Sequence, residues 1–132
     1  MMKRLLTILV LCVVGAFAAA PQVFISGSAE FERDRIMRLE HSLNFTKEPM
    51  VSTWYITIDP GNIFDENVQK LHLDTESGYT YLGSNQTHLN EDYLIWHDDH
   101  DVRHLLAHEA GHLICECTSE QKANDIAYQL EK

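Results

Sequence analysis

The chain reads as an α+β domain, and three stretches carry that reading. "AEFERDRIMRLEHSLNF" (residues 29–45) sets Phe31, Ile36, Leu39 and Leu43 near the repeat of a helix with one apolar face. "MVSTWYITI" (50–58) is rich in the β-branched and aromatic residues that favour a strand. "HDVRHLLAHEAGHLICECTSEQKANDIA" (100–127) places His100, His104, His108 and His112 four residues apart, up one side of a helix, and then continues into a second helical pattern.

The elements follow in order. The stretch 29–45 is a backing helix for a short sheet. The strand at 50–58 stops at "DPGN" (59–62), a turn. "LHLD" and "YTYLG" flank "TESG", which predicts a hairpin with Gly78 at the positive backbone angle of its turn. "NQTHLN" (85–90) is a short strand whose polarity suits a sheet edge, where it could take an extended peptide. The sheet is expected to be short and mostly antiparallel. Acidic residues in "EDYLIWHDDHD" then charge the start of a long helix over 99–116. A last helix follows at once, with Thr118 as cap, Gln121 as its capping-box partner, and Ala123, Ile126, Ala127 and Leu130 as its apolar face.

The first residues belong to a different class. "MMKRLLTILVLCVVGAFAAAPQ" has a cationic start at Lys3 and Arg4, an apolar run from Leu5 to Val14, and Ala16 and Ala18 in an A-x-A pattern. Residues 1–18 are therefore expected to be a secretory signal and 19–132 the domain, secreted or periplasmic. The apolar run is shorter than the roughly 20 residues that span a bilayer, so no stable membrane insertion is expected after cleavage. Loss of the two cations moves the formal charge from −10 to −12. So acidic a domain is repelled by nucleic acid and by anionic lipid. Cys115 and Cys117 fall two apart within the long helix, on different sides, so no disulfide between them is expected. Cys115 instead reads as a small buried apolar residue.

"HEAGH" carries the chemistry. Residues four apart share a helix face, so His108 and His112 can present two imidazoles to one zinc ion. Glu109 lies to one side, where its carboxylate reaches a water on the metal and takes its proton, the zinc having lowered the pKa of that water toward about 7. A third ligand is required, and two glutamates follow. Glu116 lies about 12 Å along the axis from His108, at about 1.5 Å per residue, whereas ligand atoms lie within about 2 Å of the ion. Glu120, in the first turn of the next helix, can fold back, with Asp125 as the fallback. The expected metal set is His108, His112 and Glu120, with Glu109 as catalytic base.

"THLNEDYLIWHDDHDVRHLLAHEAGHLI", followed by "SEQKANDIAYQL", resembles the ImmA/IrrE family of gluzincin metallopeptidases. In that family a strand ending in Asn precedes an "AHE-x-GH" helix, and a later "E-x-x-A-N-x-x-A" helix brings the third ligand. The resemblance covers residues 87–130. It implies a zincin-like fold, Zn2+ as cofactor, a peptide or protein substrate, His108, His112 and Glu120 as ligands, Glu109 as base, and Asn124 as a group supporting a ligand. The same helix pattern occurs in the HtpX-like proteases and the small soluble minigluzincins.

Other histidines and small residues have plainer expectations. Each four-residue step drifts about 40° and rises about 6 Å, so His104 is expected to pack or face solvent rather than share the ion. His97, His104 and Tyr128 are weaker candidates for steadying a tetrahedral intermediate, and Gly111 is expected to let another segment approach its helix. Two rival readings remain: a non-catalytic zinc-binding envelope protein holding several ions through His97, His100 and His104, and a degenerate zincin that binds a partner. The oligomeric state is left open.

Overall fold

A computed structural model describes residues 20–132. The expected signal, residues 1–18, lies outside the described residues. Among the described residues, four strands and five helices follow in order: β1 (Val23–Gly27), α1 (Glu30–His41), β2 (Trp54–Asp59), α2 (Gly61–Lys70), β3 (Gly78–Tyr81), β4 (Gln86–Asn90), α3 (Glu91–Trp96), α4 (Asp99–Cys115) and α5 (Glu120–Leu130). The α+β class holds. Among the described residues, no helix is long and apolar enough to cross a membrane.

The sheet is mixed, which corrects the expectation of a mostly antiparallel one. Its order is β1-β2-β4-β3, with β1 parallel to β2, β2 parallel to β4, and β3 antiparallel to β4. The hairpin falls one strand later than expected. Residues 71–74 form no strand, and β3 instead turns through 82–85 into β4, with Tyr81 opposite Gln86 and Asn85 at φ 54°. Gly78 is the first residue of β3; among the described residues, the glycine at positive φ is Gly27, at 83°.

β4 is therefore internal and β3 is the edge. Polarity misassigned β4 because its polar side chains are satisfied where they lie. Thr87 accepts from the Trp54 indole at 2.8 Å and shares a hydrogen bond with Thr80. Asn90 donates to the Glu76 carbonyl at 2.9 Å and accepts from the Asp92 amide at 3.0 Å, which also caps α3. A buried polar group that keeps its hydrogen bonds loses little by leaving water.

Strand alternation sends Trp54, Ile56 and Ile58 of β2 and Thr87 and Leu89 of β4 to one face, where they are buried. There they join Ile36 and Leu39 of α1 and Val102, Leu106 and Ala110 of α4 in one core. On the opposite face, α2 sets Phe64 against Tyr79 and Tyr79 stacks on His88, whose Nδ1 lies 2.8 Å from Asp59. Neither α2 nor β1 was expected. "GNIFDENVQK" begins at Pro60-Gly61, which reads as a turn, and Phe64 is its buried anchor.

Arginines fix α4 lengthwise. Arg35 donates to the carbonyls of Leu94 and His97 at the end of α3 and to Asp99 at the start of α4. The bond from Arg35, with one from Arg38, holds the Asp99 carboxyl below the usual carboxylate range. Further along, Arg103 bonds both Ser42 after α1 and the Glu131 carbonyl after α5.

One buried group opposes folding at neutral pH. Glu40 of α1 is 3 % exposed, its Oε2 has no hydrogen-bond partner, and the surface imidazole of His41 is 3.6 Å away. Burial lifts its pKa from 4.5 to about 7. The folded state therefore binds the proton more tightly than the unfolded chain, so stability declines as pH rises from 4.5 to 7 and stays lower above. Between pH 4.5 and 7.5, denaturant titration is expected to show Glu40→Gln gaining up to about 3 kcal/mol on the wild type, at about 1.36 kcal/mol per pKa unit. A difference independent of pH refutes the assignment.

Candidate metal centre and general base

Three side chains converge at the meeting of α4 and α5. His108 Nε2 lies 2.8 Å from Glu120 Oε2, His112 Nε2 lies 3.2 Å from Glu120 Oε1, and the two Nε2 atoms are 3.2 Å apart. Donors about 2 Å from a single tetrahedral ion stand roughly 3.3 Å from one another. The two nitrogens and the Glu120 carboxylate, which meets each imidazole through a different oxygen, are thus close enough to share such an ion, and two imidazoles with a carboxylate are a donor set that zinc accepts.

Local structure explains the convergence. Asp98 caps α4 by accepting from the Asp101 amide, and the helix ends at Cys115, one residue before its expected end. Glu116 then takes a left-handed conformation (φ 50°), and the Cys117 amide closes back on the His112 carbonyl at 3.2 Å. Ser119, rather than Thr118, caps α5 by accepting from the Lys122 amide. Glu120 is therefore the first helical residue, aimed back across the turn.

Gly111 permits that fold-back. A Cβ there would stand 2.5 Å from the Ala123 carbonyl oxygen, so the two helix backbones touch at this point. Close packing also brings Asn124 to His108.

Both imidazoles are held through their far nitrogens. His108 Nδ1 donates to Asn124 Oδ1 at 2.7 Å, and His112 Nδ1 donates to the Cys117 carbonyl at 2.9 Å. A neutral ring held in this way presents Nε2 as its lone pair. The two Nε2 atoms and the Glu120 carboxylate face one another at contact distance, a grouping that could hold a metal ion.

Glu109 is buried beside this cluster, 4 % exposed, and Thr80 of β3 donates to its Oε2 at 2.7 Å. Burial raises its pKa above the ordinary carboxylate value; the Thr80 bond and the two imidazoles oppose that rise, and Glu120 adds to it. An open cleft of about 450 Å³ spans these groups, walled by β3 on one side and by His108, Glu109, His112 and Glu120 on the other.

The other expected residues lie elsewhere. Glu116 caps the helix, and Asp125 is exposed outside the cluster. His104 pairs with Glu131 at 2.7 Å, and His97 stacks on Tyr93. His100 is exposed and joins Asp98 and Asp101 in a surface group whose ligating atoms lie within 4.8 Å of one another. Tyr128 neighbours His104 and is not among the residues lining the cleft.

The cysteines correct the sequence reading: Cys115 and Cys117 form a disulfide. A continuous helix would have splayed their side chains, but α4 stops at Cys115 and the left-handed Glu116 brings the Cα atoms to 5.1 Å, within bridging range. Sequence reasoning also missed Thr80, which no motif marks, and the Cys117 carbonyl, because main-chain acceptors leave no trace in residue type. No match was found among protein-family models, curated proteins or solved structures.

Gly111→Ala is expected to push α5 from α4, lowering stability by roughly 1–3 kcal/mol and weakening any zinc binding at His108 and His112 by displacing Glu120 and Asn124. Competition titration with a zinc chelator, beside a denaturant curve, measures both. Unchanged zinc affinity would show that helix spacing does not set the site.

Proposed function

We propose that this protein is an exported zinc-dependent peptidase of zincin-like architecture. The observation that carries the reading is the three-way meeting of His108, His112 and Glu120, with both Nδ1 atoms already committed and a buried carboxylate adjoining. A zinc ion held by these three residues supplies Lewis acidity, polarising an amide carbonyl and lowering the pKa of water toward about 7.

The chain's own residues do the rest. Thr80 occupies Oε2 of Glu109, leaving Oε1 to take a proton from the attacking water. Glu109 then returns that proton to the departing amide nitrogen, so one group serves as base and then as acid. Asn124 and the Cys117 carbonyl keep the imidazoles in one tautomer and orientation. β3, as the free edge beside the cleft, offers unpaired main-chain groups to an extended peptide; this role passes from β4, which is internal. Export rests on the leader-like opening of the chain.

Elemental analysis of purified protein is expected to return one zinc per chain, with Glu120→Ala binding it at least tenfold more weakly. Glu109→Gln should keep the zinc and lose hydrolysis of a peptide library by roughly 10²–10⁴-fold. Full activity in Glu109→Gln would remove the glutamate from the mechanism. A second reading, non-catalytic metal storage, draws on the surface group Asp98, His100 and Asp101. It is favoured if the wild type binds a second ion that His100→Ala abolishes and hydrolyses no peptide.

A further inference from the structure

The general base is tied to the core by a chain of hydrogen bonds that the metal motif does not explain. The Trp54 indole Nε1 lies 2.8 Å from Thr87 Oγ1, Thr87 Oγ1 lies 2.8 Å from Thr80 Oγ1, and Thr80 Oγ1 lies 2.7 Å from Glu109 Oε2. Three strands contribute, β2, β4 and β3, all through the face turned toward α4. Trp54 and Thr87 are wholly buried, so water does not compete at that end.

Inventory of the protons gives this chain one direction. An indole N–H only donates, so Thr87 accepts from Trp54. With Glu109 ionised, as the proposed reaction requires, its carboxylate only accepts, so Thr80 spends its single hydroxyl proton there. Thr80 must then accept from Thr87. Every bond points the same way, from the buried indole to the carboxylate, and bonds so aligned polarise one another.

We infer that Thr80 is the positioning residue of the general base and that Trp54 and Thr87 fix its hydroxyl. The inference rests on the peptidase reading. Through this relay the Glu109 carboxylate is held at Oε2 and cannot rotate freely, so Oε1 stays turned toward the cleft. Threonine suits the role: its branched side chain packs on the sheet, and its one proton has one destination. Valine at position 80 would keep the shape and remove the relay; serine would keep the relay.

The test uses the zinc-loaded full chain and reads two signals. The first is the indole N–H resonance of Trp54 in a ¹H–¹⁵N spectrum, with Trp96, 82 % exposed, as internal control. Thr80→Val and Glu109→Gln should each move the Trp54 proton upfield, the glutamine because it keeps an acceptor oxygen and loses the charge. Thr80→Ser should leave the proton in place, and Trp96 should not respond. The second signal is peptide hydrolysis: Thr80→Val should lower kcat by roughly 10- to 100-fold at unchanged KM and one zinc per chain, with Thr80→Ser restoring most of it.

A Trp54 resonance indifferent to both Thr80→Val and Glu109→Gln overturns the relay, as does a kcat unaffected by Thr80→Val. The two proposals fail separately. A wild type that holds one zinc and cleaves nothing refutes the peptidase reading, and the resonance alone then decides whether the relay exists.

Discussion

The contact of α4 with α5 at Gly111 is the constraint from which the site follows. Two helices whose backbones touch bring their side chains to one place without long reaches. Ala107 and Ala110 on one helix and Ala123 and Ala127 on the other keep the seam narrow and are fully buried. At one end of the seam, Asn124 and Glu120 come within hydrogen-bond distance of His108; at the other, Glu131 meets His104 and Arg103. A bulkier residue in the middle would lengthen every one of those distances together.

The sheet does a different task for the same helix. α4 lies across it with Val102 and Leu106 buried in the core, while Glu109 meets the edge strand through Thr80. The cleft is consequently bounded by two kinds of surface. One is a helix face carrying His108, Glu109 and His112, and the other is a strand edge of main-chain groups. Both faces of the arrangement depend on β3 being outermost, which the pairing of β3 with β4 alone secures.

How much of this was legible depended on where the information resided. Periodicity marked α1 and α4, and the β-branched run marked β2, because burial of one face leaves a repeat in residue type. The spacing of His108, Glu109 and His112, with Glu120 beyond, picked out four side chains that the fold brings together. What stayed hidden was set by partners distant in the chain. Thr87 and Asn90 looked like edge residues because the groups that satisfy them, Trp54, Thr80 and Glu76, sit on other segments, and only the fold brings those segments alongside. α2 was hidden behind a proline and a glycine that normally announce a turn, and the disulfide behind the assumption that a helix runs on through Cys117. The roles of Thr80 and of the Cys117 carbonyl had no sequence signal at all.

The turn between α4 and α5 divides the site into a local and a long-range half. Glu120 follows His112 by eight residues, whereas Thr80 and Glu109 are separated by 29. By chain-closure entropy alone, joining the longer pair costs about 1 kcal/mol more than joining the shorter. The cluster of His108, His112 and Glu120 is therefore the half that persists when the sheet loosens, and the Thr80–Glu109 bond is the half that goes first. A partly opened chain of this kind would keep His108, His112 and Glu120 together after Glu109 has lost the bond that orders it.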